Sequence, residues 1–284
     1  MQEILIDILK DTTIDSIKLL PFLFITYLIM EYIEHKTSSQ VKRVIQKSGK
    51  LGPLLGGIVG IIPQCGFSVS ATNLYSARVI TLGTLISVYL TTSDEMLPIL
   101  ISETMPISTI LTILGIKLLI GIIAGFIIDF VARKLHKEKV ETKIEEICEH
   151  EHCHCEKNIV LSALKHTLNI FLFIFFITLI INGIIGLIGQ ESIANIVSKN
   201  VILGPVIAGI IGLIPNCASS VVLTELFVEN VISMPILISG LCVNAGVGLL
   251  VLFKTNENKK ENLKIAGLLY VIGVVSGLIL EIII

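Results

Sequence analysis

Two short runs in this chain each place a thiol directly after a helix breaker: Ile62-Pro63-Gln64-Cys65 and Ile214-Pro215-Asn216-Cys217. Polar side chains follow within about three turns: Ser68, Ser70, Thr72 and Asn73 after the first, Ser219, Ser220, Thr224 and Glu225 after the second. Proline removes a backbone donor and clashes with the preceding turn. A helix restarting beyond it opens with exposed N–H groups and a positive dipole end. Thiolate sulfur prefers soft or borderline ions, and hydroxyl and amide groups can complete the shell around a cation or a neutral trihydroxy metalloid. Gln64, Cys65, Ser68, Thr72, Asn73, Asn216, Cys217, Ser220, Thr224 and Glu225 are therefore the candidate substrate-binding residues. The plain alternatives are cysteines that pack as small residues and hydroxyls that bond neighbouring helix carbonyls.

A second constellation is Thr91-Thr92-Ser93-Asp94-Glu95, in the middle of a long apolar piece from Val79 to Ser102. Ionisable groups inside a membrane span are expensive and usually face a pathway or a proton relay. Asp94 and Glu95 are thus the candidate coupling pair, the competing reading being a solvated external loop between two shorter helices. A third is Cys148-Glu149-His150-Glu151-His152-Cys153-His154-Cys155. Cys148, His150, His152, Cys153, His154 and Cys155 supply thiolate and imidazole ligands, without the C-x-x-C pairs of a closed structural zinc site. A flexible loading or sensing loop fits that spacing, and a solvated linker with incidental ligands is its alternative.

Everything around these residues is apolar. The chain is 53% hydrophobic and 15% charged over 284 residues, with a mean hydropathy of +0.89. A soluble domain carries roughly a quarter charged residues, so this is an integral membrane protein. A net charge of −2 with no basic stripe gives nucleic acid nothing to bind. Glu3, Asp7, Asp11 and Asp15 replace the basic start of a signal peptide, so the first apolar span is expected to be retained. Walker, H-E-x-x-H and G-x-S-x-G motifs are missing. The expectation is a gradient-driven protein that is no enzyme and holds no cofactor.

The two proline-cysteine runs belong to a larger duplication. The stretch LGPLLGGIVGIIPQCGFSVSATNLY around Gly52 recurs as LGPVIAGIIGLIPNCASSVVLTELF around Gly204 at a shift of 152 positions, without a gap. The same shift carries Ser87 to Ser239, Gly121 to Gly273 and Gly125 to Gly277. It also carries Asp94 and Glu95 to Gly246 and Val247, so the acids occur once. Asn244, just before, is their candidate polar counterpart and joins the substrate-binding set. Residues 1–133 and 159–284 read as two transmembrane repeats joined by a linker, 134–158.

Each repeat offers about five apolar pieces. In the first these are Asp15 to Ile33, Leu51 to Ile62, Cys65 to Leu74, Val79 to Ser102 and Ser108 to Val131. A spanning helix needs about 20 residues to cross about 30 Å, which the first, fourth and fifth pieces meet. The second and third, at about 15 to 18 Å, are expected to be broken or re-entrant half-helices meeting at Pro63, and their copies at Pro215. Near the span ends, Glu31, Asp129 and Glu281 read as caps, and Arg78, Lys117 and His166 as interfacial anchors.

Lys and Arg crowd three loops: Lys36 to Lys50, Arg133 to Lys157 and Lys254 to Lys264. The positive-inside rule puts all three in the cytoplasm. That requires an odd number of crossings per repeat, hence inverted topology with both termini outside. The abundance of Lys and Ile and the absence of Trp, a usage common in AT-rich prokaryotic genomes, point to a bacterial or archaeal inner membrane. Inverted repeats with discontinuous helices at the midplane are a common plan of secondary transporters.

The stretch IIPQCGFSVSATNLYSARVITLGTLISVYLTTSDEMLPILIS, with its repeat IPNCASSVVLTELF, resembles the bacterial ten-helix heavy-metal exporters, also labelled arsenic efflux proteins or manganese transporters. The likeness runs over nearly all of the chain. It implies efflux of a metal or metalloid as substrate. The residues alone leave two alternatives: a small organic-anion carrier with structural cysteines, and a membrane-embedded metal sensor without flux.

Overall fold

A computed structural model describes residues 51–63, 65–93, 95–135 and 203–283, with scattered helical positions within 9–28 and 160–180. Gln64, Asp94, Glu31, His166 and all six linker ligands, Cys148, His150, His152, Cys153, His154 and Cys155, lie outside the described residues. The described elements are helices only. In the first half they are α1 (Gly52–Gly60), α2 (Cys65–Ser76), α3 (Leu82–Thr91), α4 (Met96–Ser102) and α5 (Ile107–Leu135). In the second they are α6 (Leu203–Gly212), α7 (Cys217–Val228), α8 (Met234–Val243), α9 (Val247–Thr255) and α10 (Lys259–Ile283). The protein is all-α.

Proline and glycine set the first interruptions. Helix α1 stops at Gly60 and α2 starts at Cys65, with Pro63 between; α6 stops at Gly212 and α7 starts at Cys217, with Pro215 between. Helices α2 and α7 have 12 residues each, about 18 Å at 1.5 Å per residue, and cannot cross about 30 Å of hydrocarbon. Both end alike. Arg78 and Asn230 each take a φ of 58°, a left-handed conformation uncommon outside glycine. Each is followed by a valine N–H that closes back on the helix: Val79 to the Leu74 carbonyl at 2.8 Å, Val231 to that of Leu226 at 2.9 Å.

The fourth apolar piece departs from expectation. Val79 to Ser102 is not one span: it divides into α3 and α4, with Thr92 and Ser93 between them. Nor is the division a solvated loop, because Thr92 is 5% and Ser93 1% exposed. The equivalent piece divides at Asn244-Ala245-Gly246, where Gly246 has φ 54° and ψ −144°, a conformation that a side chain would strain. Each half thus holds a second, buried break.

In each half three helices form a packed layer, α1 with α3 and α5, and α6 with α8 and α10. Like contacts hold both layers. Ser87 Oγ donates to the Pro53 carbonyl at 2.6 Å and Ser239 Oγ to that of Pro205 at 2.7 Å. Asp129 accepts from the Gly83 N–H at 2.8 Å and from the Thr81 hydroxyl, at the start of α3. Glu281 accepts from Ser233 at 2.6 Å, at the start of α8. A Cβ built on Gly125 would lie 2.6 Å from the Gly83 carbonyl oxygen, backbone against backbone with nothing flexible to yield. Gly125→Ala is expected to destabilise the fold by about 1–3 kcal/mol, measured as a lower melting temperature in detergent, while Gly115→Ala, where the added carbon meets nothing within 4 Å, changes little.

Between the halves, contacts come in exchanged pairs. Helix α2 packs on α9 and α7 on α4; α3 packs on α10 and α8 on α5; α3 and α8 meet each other. Each of these contacts has a counterpart with the halves exchanged. The outer helices α5 and α10 are 28% buried over their apolar windows, whereas Met234–Thr255, covering α8 and α9, is 89% buried. Helices α8 and α9 are therefore core, and the long helices α5 and α10 keep broad exposed apolar faces. Three helical stretches among the described residues are long and apolar enough to cross a membrane: Ile107–Lys134, Met234–Thr255 and Lys259–Ile283.

Candidate functional site

The proline breaks bring their sulfurs together. Cys65 Sγ and Cys217 Sγ, from the first residues of α2 and α7, are 2.8 Å apart. Both are thiols, 9% and 4% exposed. Each opens a half-helix, so two positive helix ends converge on the pair. Val69, Ala163, Val247 and Val251 close an apolar jacket around it, with Phe24, Leu28, Phe171 and Phe173 packed on the outside. Two sulfurs bound to one tetrahedral ion at about 2.3 Å would stand nearly 4 Å apart. Accepting one here means parting α2 from α7 by about an ångström.

The hydroxyls after each cysteine are arranged in copies. Ser68 Oγ donates to the Cys65 carbonyl at 2.8 Å and Ser220 Oγ to that of Cys217 at 2.7 Å. Thr72 and Thr224 donate, at 2.7 Å each, to the carbonyls of Ser68 and Ser220. The protons of Ser68, Ser220 and Thr224 are thus committed to their own helices, and what these three hydroxyls offer elsewhere is lone pairs. Thr72 also meets the Tyr89 hydroxyl, and both lie 3.1 Å from the Gly248 carbonyl of α9. A Cβ on Gly248 would come within 3.0 Å of Ser68 and Tyr89, so this glycine lets α9 lie directly against α2.

Asn73 is 1% exposed, and neither its amide nitrogen nor its amide oxygen has a hydrogen-bond partner among the described residues. It stands eight residues along α2 from Cys65, about 12 Å. The sequence-derived set is therefore spread along a helix face and cannot be one coordination shell. Asn216 is buried at 2% beside Cys217, and Glu225 is half-buried in the last turn of α7. Asn244 is differently employed: its Oδ1 accepts from the Gly246 N–H at 2.7 Å and its Nδ2 donates to Ser219 Oγ at 3.0 Å. It shapes the second break and ties it to α7. Glu95 is half-buried at the start of α4. Among the described residues no three His, Cys, Asp or Glu side chains converge as a metal site would require.

Two groups escaped the sequence reading. Lys117 is not an interfacial anchor: it is 0% exposed, ten residues into α5, and donates to the carbonyls of Thr92 and, at 3.4 Å, Leu241. Arg78 is not a lipid anchor either. Its guanidinium grips Glu261 with two bonds of 2.8 Å, Tyr75 donates to the same carboxylate, and the cation sits 5.2 Å from the Tyr75 ring centre. The Glu261 carboxylate pushes the Arg78 pKa up from its ordinary value. This clasp joins the α2–α3 turn to the start of α10, across the halves. Its counterpart positions carry Phe227, Asn230 and Thr109, so it is built once.

A family model described as "Putative, 10TM heavy-metal exporter" matches residues 1–193, more than half of the chain. The chain belongs to this exporter family. The match takes in the Pro63-Gln64-Cys65 break, the Thr92–Glu95 break and the linker. The exporter-family match ends before α6, so the second break enters through its likeness to the first. Neither the curated proteins nor the solved structures contain a match to the chain. As a member of the exporter family it is a multi-pass membrane protein of a transporter kind.

Proposed function

We propose that this chain exports a thiol-binding metal or metalloid, with Cys65 and Cys217 as its first ligands. The observation that carries the reading is the meeting of the two sulfurs across the halves, at helix breaks of the kind transporters use to bind substrate. Two facing sulfurs, with hydroxyls further along the helices that carry them, suit a trihydroxy metalloid such as arsenite, or a soft cation, better than Mn²⁺, which prefers oxygen. The Asn73 amide, without a hydrogen-bond partner among the described residues, supports a path that continues along α2: a buried amide left so costs about 1–3 kcal/mol, a cost a hydroxylated solute would offset. Residues 1–133 and 159–284 act as repeats of opposite orientation, their two-fold axis in the membrane plane. The linker 134–158 then lies in the cytoplasm, where Cys148, His150, His152, Cys153, His154 and Cys155 collect the ion. Asp94 and Glu95, beside the second break, couple its movement to a proton or to the membrane potential. With the Lys254–Lys264 loop inside, the Arg78–Glu261 clasp closes the cytoplasmic end.

Cys65→Ser combined with Cys217→Ser is expected to abolish resistance in cells challenged with arsenite, Mn²⁺, Zn²⁺, Cd²⁺ or Co²⁺, whichever the intact gene protects against. Unchanged resistance would transfer the reading to an organic-anion carrier with packed cysteines. Deleting 148–155 is expected to leave flux in proteoliposomes measurable. Loss of the linker's metal response with no flux in either form would instead mark a sensor.

A further inference from the structure

Lys117 carries the one fully buried ammonium among the described residues, and its surroundings are those of a cation site. It lies ten residues from Ile107, where α5 begins, about 15 Å along the axis and so about halfway through the hydrocarbon. A charged side chain at that depth is expensive and marks a function. Among its partners are two carbonyls that come from different halves and from like places. Thr92 caps the C-terminal end of α3, and Leu241 is in the last turn of α8. Both helices stop inside the membrane, at the second break of each half. Two negative helix ends therefore point at one positive charge. Unwound carbonyls and half-helix C-terminal ends are the groups with which discontinuous transporter helices coordinate small monovalent cations. The equivalent of Lys117 in the other repeat is Leu269, also 0% exposed, so the charge is supplied once for both breaks.

We propose that the carbonyls at the ends of α3 and α8 form a monovalent-cation site, filled permanently by the ammonium of Lys117. Lys117 is a positioning residue in this scheme: a tethered cation that holds the two broken helices by their negative ends and removes the need for a diffusible one. The proposal makes no use of the sulfur pair, and it stands or falls separately from the choice of substrate.

The test is chemical rescue of stability in the purified full-length protein, with no substrate present. Lys117→Ala should lower the melting temperature by about 10 °C, the scale expected when a buried charge is withdrawn from its partners. Ethylammonium chloride should restore more than half of that loss, sodium chloride a part, and choline chloride, too large for the site, none. Wild type should respond equally to all three. Lys117→Met keeps the volume without the charge; it should melt lower than wild type and regain stability with sodium, and it gives the answer if the alanine variant does not accumulate. Three results would overturn the proposal: a methionine variant as stable as wild type, ethylammonium no better than choline, or recovery of Lys117→Ala by Glu95→Gln with no amine added. The last would make Lys117 the counter-ion of a carboxylate.

Discussion

Mild oxidation is expected to weld the two halves of this protein together. In a variant that keeps only Cys65 and Cys217, with Cys148, Cys153, Cys155 and Cys242 changed to Ser, the two sulfurs start 2.8 Å apart. A disulfide needs about 2.05 Å, so less than an ångström of closure suffices. The oxidant, diamide, takes up the two electrons and two protons that the thiols give up. A protease site placed in the linker then reads the outcome: cut chains stay full length on a non-reducing gel and fall into two fragments once reduced. Nearly complete joining is expected, and none in the same background with Cys65→Ser. Because accepting an ion requires the sulfurs to part, the oxidised protein should also lose export entirely and regain it with reductant. Fragments that separate after oxidation would show that α2 and α7 do not meet in the membrane.

The second large effect concerns the Arg78–Glu261 clasp. Glu261→Ala withdraws a carboxylate from two guanidinium bonds, from Tyr75 and from Asn256 Nδ2 at 3.4 Å. The pair is only partly exposed, with side chains 31% and 23% accessible. Charge-assisted bonds contribute about 1.5–3 kcal/mol, and a network lost from both ends exceeds any one member. A loss of about 2–4 kcal/mol is expected for Glu261→Ala. Tyr75→Phe should lose about 1 kcal/mol. Arg78→Ala in the Glu261→Ala background should cost little more, giving a coupling of about 1–3 kcal/mol in a double-mutant cycle. Chemical denaturation in detergent measures wild type, Glu261→Ala, Arg78→Ala, their double variant and Tyr75→Phe. Additive effects would mean that the ion pair is a solvated contact with little hold on the halves.

The proline breaks were legible in the sequence because proline leaves a membrane helix few options, and the copy at Pro215 repeated the message. The break after Thr91 was legible only as a competing reading, and as a solvated loop, since Thr92, Ser93 and Glu95 are each acceptable in a helix and nothing in their types says that they are buried. Its signal was Gly246 in the other half: carried back by 152 positions, that glycine lands on Asp94, and the φ of 54° there explains why glycine was needed. Lys117 was misplaced for want of the same arithmetic, because ten residues of rise already put it far from either end of its span. Asn244 looked like a ligand by composition. What fixes it is a hydrogen bond to its own break, which spacing cannot reveal. The meeting of Cys65 with Cys217 followed from treating the two runs as equivalent, whereas the clasp, present in one half only, could not follow from any repeat.

That one-sidedness has a meaning for descent. Two separate half-length subunits obeying the same two-fold would have to carry each lock twice or forgo it, since identical sequences cannot differ across their own axis. Tandem fusion lifts the constraint. Lysine where the sister copy keeps leucine, and an arginine clasp where the sister keeps asparagine, are specialisations that two identical subunits could not carry singly.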